Sequence, residues 1–463
     1  MKCEYAQSDA LLSLEGLGGI PWVKTASDHR QRHASAVYFL DHEIFTRGQM
    51  AVPIPSTSIP PHLMHQLGGT IEARGIASQY FDTVHTWLPI ISKKRFFDHL
   101  LNPLFELRAD VALLCLCMKL VTWSAPDLDT DPETLLYSTA KQYLIDLETA
   151  GVFTLQTLQS CIFIAIYELG HAIYPSAYMS IGTCTRYAFA LGISWRPAAG
   201  ANMNNILCWV EQEERRRVWW AIIILDRIIN LGCPDRPLTT EDPSIEALLP
   251  TDDAEWDQGV MINRGPVTLS SPSSIMGRFA RVALATHLLG RVLRNRSDRS
   301  MDLLFKREEA SRLDRALHAL LLYNDHYRQE NCTIACCQTA VCYSALMTLY
   351  IPELPPSRIE ILDNEDQHHM RTVVGLGSDA MLKISMKYLQ DGDSFAEEIS
   401  PFVIHCIYQT AFIYIQQIRA SQDDGLSKPL QILKETLNRL RWRWKSAEVY
   451  LQLLEAREVM NES

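Results

Sequence analysis

The sequence predicts an all-α fold, a large domain of antiparallel packed helices around one central buried helix, and three observations carry that expectation. Between residues 131 and 191, three apolar-periodic segments are each bracketed by helix-starting and helix-stopping residues, with short turns between them. Val218 to Leu225 is apolar on every face, as in a helix that runs through the middle of a domain. From Leu430 to Leu454, apolar residues recur in alternating three- and four-residue steps. With 463 residues, 47% hydrophobic and 21% charged, the composition is that of a folded chain.

Taken in order, residues 1–50 show no sustained periodicity, and Val52 to Pro61, with prolines at 53, 55, 60 and 61, reads as a linker. The expected organisation is a weakly ordered segment over 1–61 and one all-helical unit over 62–463. The N-terminus lacks the pattern of a signal peptide, because Glu15 cuts short the apolar stretch that starts at Ala10. Asp131, with Pro132 at the first helical position, predicts a helix to Ala150 that Gly151 stops. Thr154 predicts the cap of the next helix, Leu155 to Ile173, which Tyr174-Pro175 ends. A third runs from Ser176 to Leu191 and stops at Gly192. A long helix follows from about Ile206 to Asn230. Residues 232–275, rich in Pro, Asp, Ser and Gly, read as a surface connection, and helix resumes near Ser274. The seam Leu430, Leu433, Leu437, Leu440, Trp444, Ala447, Leu451 and Leu454 reads as one unbroken helix that buries its stripe against its own domain in preference to a second copy of itself. It places Arg439, Arg441 and Lys445 on the flanks.

Charge and motif content narrow the function. The chain carries 43 Lys+Arg against 54 Asp+Glu, a net charge of -11, so it lacks a general attraction to nucleic-acid phosphate. Its twelve cysteines sit mostly in apolar runs and none stand in C-x2-C spacing, which indicates a reducing compartment and excludes the usual cysteine-rich zinc modules. The uncharged stretches 331–352 and 399–418 carry too many polar groups for lipid and read as buried helices, so no membrane partner is expected. Gly375-Leu376-Gly377-Ser378-Asp379-Ala380 has the form of a dinucleotide loop but sits in a helical neighbourhood, so no cofactor is expected. The acidic groups Asp127–Asp131 and Asp252–Glu255 invite comparison with the magnesium-binding carboxylates of terpenoid synthases. Both fall in predicted loops, and surface turns explain them better. His29, His33, His368 and His369 lack acidic or cysteine partners at ligand spacing, so no metal site is expected either. Protease, hydrolase and P-loop signatures are missing, so no catalytic residue is assigned and the chain is not read as an enzyme.

The informative charges lie on the long helix. Glu211 to Arg215 and Glu213 to Arg217 are i,i+4 pairs in the favourable order. Asp226-Arg227 follows eight apolar residues, where a charge is expensive unless paired. Arg236, just beyond the turn at Gly232, is near enough in sequence to fold back onto Asp226, and another arginine would serve as well.

At these residues the chain resembles a known family. Arg186 to Gly192, then Glu213-Glu214-Arg215-Arg216-Arg217-Val218-Trp219-Trp220, Leu225-Asp226-Arg227, Arg236-Pro237 and Leu249-Pro250 follow one another in order. This combination resembles the fungal-specific transcription factor domain, the middle homology region of zinc binuclear cluster regulators, and the resemblance spans about 79–260. It makes Arg216, Arg217, Trp219, Trp220, Asp226, Arg227, Arg236 and Pro237 motif residues of a fold and not of a chemistry. It implies a nuclear transcription regulator that works through contacts with the transcription machinery or a DNA-binding partner protein. A small-molecule effector and control of a biosynthetic gene cluster are further implications. Two departures stand out: Cys233-Pro234-Asp235 separates Gly232 from Arg236-Pro237, and Cys3 is the one cysteine ahead of residue 115. The zinc cluster is therefore expected to be missing from this chain, which argues against specific DNA binding by the chain alone. The rival readings are an all-α enzyme of terpenoid-synthase type and a helical scaffold.

Overall fold

A computed structural model describes residues 27–48, 52–194, 208–260, 265–327, 332–350, 364–391, 397–421 and 424–460, apart from positions 53, 56, 103, 105, 128, 266 and 273–275. The described residues form eighteen helices and no sheet. They share one contiguous apolar core. In chain order the helices are α1 (Ser27–Leu40), α2 (His42–Arg47), α3 (Pro61–Leu67), α4 (Thr70–Asp82), α5 (Lys93–Arg95), α6 (Ala109–Val121), α7 (Leu135–Thr149), α8 (Leu155–Gly170), α9 (Ser176–Ala190), α10 (Trp209–Ile228), α11 (Asp253–Asp257), α12 (Arg278–Ser297), α13 (Leu303–Tyr327), α14 (Cys332–Tyr350), α15 (Asn364–Asp391), α16 (Phe402–Ser421), α17 (Ser427–Leu440) and α18 (Ser446–Met460).

Local chemistry accounts for most ends of the first three predicted helices, with two corrections: α7 starts late, and α8 stops at Gly170 rather than Ile173, with Ala172 just beyond it taking a positive φ of 57°. The helix expected to start at Asp131 starts at Leu135, because the Thr134 hydroxyl accepts from the Tyr137 N–H (3.2 Å). Asp131 instead accepts from the Glu133 N–H (2.9 Å), in a turn ahead of the helix. Thr154 caps α8 as expected, accepting from Thr157 N–H at 3.2 Å. Gly151 and Gly192 take positive φ (79° and 68°) just past α7 and α9. There the Val152 and Ile193 N–H groups reach back to Leu147 and Ala188 carbonyls, a geometry that costs glycine little.

The packing runs through three linked groups. α6, α8 and α9 form one, with α4 and α7 against them; α10 lies between α8–α9 and α12; α12, α14, α16, α17 and α18 continue the stack. In the segment without periodicity, α1 nonetheless forms, and the Tyr38 hydroxyl donates to the Ala190 carbonyl at 2.7 Å.

The C-terminal seam is not one helix. α17 ends at Leu440, and residues 441–445 turn the chain into α18. Leu430, Leu433, Leu437, Leu440, Trp444, Ala447 and Leu454 are all buried in the chain's own core, so the seam docks within the chain across two helices. Lys445 is buried rather than flanking, and so is Arg443. The Arg443 guanidinium donates to the Val121 carbonyl (2.7 Å) and the Trp123 carbonyl (3.0 Å) at the C-terminal end of α6, where a helix dipole favours a cation. Trp444 lies against Gly170, leaving no room there for a Cβ, and its indole N–H donates to the Ile399 carbonyl at 2.9 Å.

The connection over 232–275 also differs from a plain surface loop. Thr240, Leu249 and Trp256 are buried, and an isolated bridge pairs Leu248 with Thr268. Gly375 and Gly377 lie inside α15, with no strand before them. The side chains of His29, His33, His368 and His369 lie outside the described residues.

Candidate functional site

The motif residues gather along α10, whose middle is apolar and whose two ends carry buried ions. Val218, Ala221, Ile222, Ile224 and Leu225 are fully enclosed. Burial of such side chains contributes about 1.5–3 kcal/mol each for the larger ones.

At the N-terminal end, Arg217 is completely buried and draws partners from four segments. Its Nε donates to Glu213 Oε1 (2.9 Å), one turn back on the same helix, as the spacing predicted. Nη1 donates to Asp253 Oδ1 (2.7 Å) and to the Pro89 carbonyl (3.3 Å), and Nη2 to the Thr251 carbonyl (2.8 Å). The guanidinium lies 4.1 Å from the centre of the Trp256 ring. Burial would lower the Arg217 pKa, but Asp253 and Glu213 outweigh it and hold the pKa above the usual arginine value. Asp253, read from sequence as a surface turn, is thereby part of the ionic core, and its second oxygen accepts from the Phe279 N–H (3.2 Å) in the first turn of α12. Glu213 also accepts from Thr251 N–H (2.8 Å) and pairs with Arg216. The neighbouring Glu214, equally buried, accepts from Arg95 Nη1 (2.6 Å) and Gln159 Nε2 (3.0 Å), which fixes α10 to α5 and α8.

The tryptophans serve packing. Trp220 donates its indole N–H to the Leu248 carbonyl (2.9 Å), and Trp219 stacks obliquely on Phe189 with ring centres 5.4 Å apart.

At the C-terminal end, Asp226 and Arg227 are both buried and pair with each other. The partner is thus another arginine, Arg227, and not Arg236. Arg236 is exposed and lies 5.6 Å over the Tyr178 ring, while Pro237 is exposed beside it. A long arginine side chain can bend back to its own neighbour once a loop offers shared acceptors, and Thr240 does so. The Asp226 carboxylate accepts from Thr239 N–H (3.0 Å), Thr240 N–H (2.9 Å) and the Thr240 hydroxyl (2.7 Å). Arg227 donates to the Thr240 and Glu241 carbonyls (3.3 and 3.4 Å) and to Asp242 Oδ1 (3.2 Å). Burial lowers its pKa against the pull of Asp226 and Asp242. Asp242 passes the contact on to Arg294 of α12 at 2.8 Å. Gly290 makes room for this cluster, since a Cβ there would stand 2.7 Å from Arg227 Nε.

Sequence reasoning missed Asp253, Thr240, Asp242 and Gly290. The i,i+4 rule finds Glu213, but no spacing links α10 to a loop 13 to 36 residues away. A half-open pocket of about 320 Å³ lies on the outer side of this loop, lined among others by Arg236, Pro237, Leu238, Leu293 and Arg294. Among the described residues, no group of three or more His, Cys, Asp or Glu side chains is placed to hold a metal ion. No helix among them is long and apolar enough to cross a membrane. In both ionic clusters the charges on α10 are answered by one another and by protein groups of neighbouring segments.

Comparison with known proteins bears on the same region. Residues 77–321, more than half of the chain, match the family described as the fungal specific transcription factor domain. The chain is 36% identical over 180 residues to transcription factor BOA15 of Botryotinia fuckeliana, covering 39% of this chain and 98% of that protein. It is 25% identical over 258 residues to the pigment biosynthesis transcriptional activator pigB of Monascus ruber, covering 52% of this chain and 45% of pigB. Over 143 residues it is 27% identical to the notoamide biosynthesis cluster transcriptional coactivator notQ' of Aspergillus versicolor, 29% of this chain and 28% of that protein. It thus spans nearly all of BOA15 but less than half of the other two. No solved structure matches the chain.

Proposed function

The chain belongs to the fungal specific transcription factor domain family, and from that premise we propose that it is a regulatory domain acting in the nucleus on transcription, with a biosynthetic gene cluster as its target. The observation that carries this reading is the match over 77–321, which contains the whole ionic framework of α10. The names of pigB and notQ', an activator and a coactivator of biosynthesis, support the choice of target class. In this reading residues 62–463 form one regulatory unit, and Arg216, Arg217, Trp219, Trp220, Asp226 and Arg227 keep it folded rather than perform chemistry. The unit works through contact with the transcription machinery or with a DNA-binding partner, and a small-molecule effector adjusts it. It catalyses no reaction. With a charge of -11, the chain does not contact DNA specifically by itself.

The test is transcriptional. The full chain, fused to an unrelated DNA-binding module, is expected to change transcription of a reporter carrying that module's sites, relative to the module alone. Asp226→Ala, which breaks the framework, is expected to abolish the change. A fusion without effect on the reporter would count against the regulatory reading. Competitor-resistant gel-shift binding by the unfused chain would count against its dependence on a partner.

A further inference from the structure

Among the motif residues, Arg236 and Pro237 alone take no part in the framework of α10: both are exposed, and Asp226 is paired with Arg227 instead. They line the half-open pocket of about 320 Å³ outside the 234–241 loop, a volume at the lower end for small-molecule sites. The wall of this pocket is fixed from behind. The Thr239 and Thr240 amides donate to the buried Asp226 carboxylate (3.0 and 2.9 Å), and the Thr240 carbonyl accepts from Arg227 (3.3 Å). Pro234, Pro237, Leu238 and Leu293 give the pocket its apolar lining. Its four charged residues sum to zero, Asp235 and Glu241 against Arg236 and Arg294. Two of them are engaged elsewhere, Asp235 with Arg299 at 3.7 Å and Arg294 with Asp242 at 2.8 Å. One cation and one anion are left over: neither Arg236 nor Glu241 forms an ion pair with a described residue. The Arg236 guanidinium is nonetheless held in place, 5.6 Å over the Tyr178 ring.

We propose that this pocket binds a small zwitterion with an apolar body, of the size of an apolar dipeptide, whose carboxylate meets Arg236 and whose ammonium meets Glu241. The leftover charges select this class. An anion would gain Arg236 but be opposed by Glu241, and a cation would be opposed by Arg236 in the same way. A neutral ligand would strip water from both charges and answer neither. A ligand carrying both signs answers both, and its apolar body covers Leu238, Leu293 and the prolines. An α-amino acid crowds its two charges onto one carbon, whereas a dipeptide sets its termini about 7 Å apart and leaves two side chains for the apolar lining. The site would place the small-molecule effector of the regulatory reading; that use of it rests on the reading, and the binding itself does not.

Isothermal titration calorimetry and thermal shift of the full chain with leucyl-leucine, its N-acetyl derivative and its C-terminal amide test the site. The free dipeptide is expected to bind with a Kd below about 1 mM, and each blocked derivative about fivefold or more weakly, because each loses one charge-assisted contact. Arg236→Ala is expected to weaken the free dipeptide and to erase its advantage over the amide, while its advantage over the acetyl derivative remains. Glu241→Gln should do the reverse, erasing the advantage over the acetyl derivative alone. Both residues are exposed, so the unliganded variants should melt with the parent. The proposal is overturned if the dipeptide neither releases heat nor raises the melting temperature at about 10 mM, or if both variants bind it as the parent does. Equal binding of the acetyl derivative to the parent would overturn it too, and make the pocket an anion site. A reporter fusion without effect would refute the regulatory reading and leave this binding result standing.

Discussion

Asp226→Ala offers the most direct test of the ionic framework. The carboxylate is 1% exposed and serves four donors: Arg227, the Thr239 N–H, and the N–H and hydroxyl of Thr240. Removing one partner of a buried ion pair costs about 3–5 kcal/mol, because the other charge is left in a low-dielectric site. Two features move the expectation within that range. Arg227 keeps Asp242 at 3.2 Å, which softens the loss. The Thr239 and Thr240 donors keep nothing, and an unsatisfied buried donor costs about 1–3 kcal/mol. The expected loss is about 4 kcal/mol, read as a shifted midpoint in urea unfolding followed by the fluorescence of Trp219 and Trp220 on the same helix. Asp226→Asn retains an acceptor oxygen without the charge and should lose less. Replacing the pair together, Asp226→Leu with Arg227→Met, should restore much of the loss, since no lone charge then remains. Arg236→Ala should stay within about 0.5 kcal/mol, because that side chain is exposed and only rests on Tyr178. A change of less than about 0.5 kcal/mol for Asp226→Ala, or a loss on Arg236→Ala as large, would refute the assignment of Arg227 as the partner.

Three further outcomes follow from the packing. Gly170→Ala would place its Cβ 2.2 Å from Trp444 Cε3, against a fully buried indole already hydrogen-bonded to Ile399. Overpacking of about 3 kcal/mol then outweighs the gain of about 1 kcal/mol in helix propensity, and a melting temperature equal to or above the parent's would contradict the contact. Burial pushes His405 and His287 down to about 4 from the ordinary 6.5. Both are neutral in the folded chain, whereas the unfolded chain takes up their protons below 6.5, so their contribution is full above 6.5 and is lost as pH falls toward 4. The slope approaches about 1.4 kcal/mol per pH unit for each histidine, and His405→Gln should flatten a melting series between about pH 7 and 5; an unchanged slope would show the ring to be solvated. Leu437→Asp with Leu440→Asp buries two charges in the α17 interface and should unfold the chain at every concentration. Sedimentation that instead shows an intact dimer turning into an equally stable monomer would make the seam an assembly surface.

How far the fold could be read from the residues follows from the range of each interaction. The Thr154 cap and the stops at Gly151 and Gly192 depend on neighbours within a few residues, and they are where the sequence places them. The start of α7 slipped from Asp131 to Thr134 because both residues can cap and only tertiary placement chooses between them. The seam kept its apolar rhythm through a bend. Arg441 stays in the right-handed helical region, and the Trp444 N–H still reaches the Leu440 carbonyl at 2.8 Å. The phase of the pattern therefore continues where the helix does not. The ionic core divides the same way: Glu213 with Arg217 is a one-turn contact and was legible, whereas Asp253 and Thr240 meet α10 only through the folding of a loop.

The charges at the two ends of α10 decide position more than they decide strength. Its enclosed aliphatic residues supply most of the stabilisation, and an apolar cylinder by itself tolerates small rotations and slides among its neighbours. Buried ion pairs roughly repay their own desolvation, so they add little to that total, but they are intolerant of displacement. A slip of one residue turns a helix by about 100°. It would take Arg217 away from Asp253 and Thr251 at one end and Asp226 away from the Thr239 and Thr240 amides at the other. Both losses would come together, leaving unpaired charge at each end. The apolar middle therefore holds the helix in the core, and the ions fix its register, which is how Arg217 comes to face α12 through Asp253 while Arg227 faces the same helix through Asp242 and Arg294.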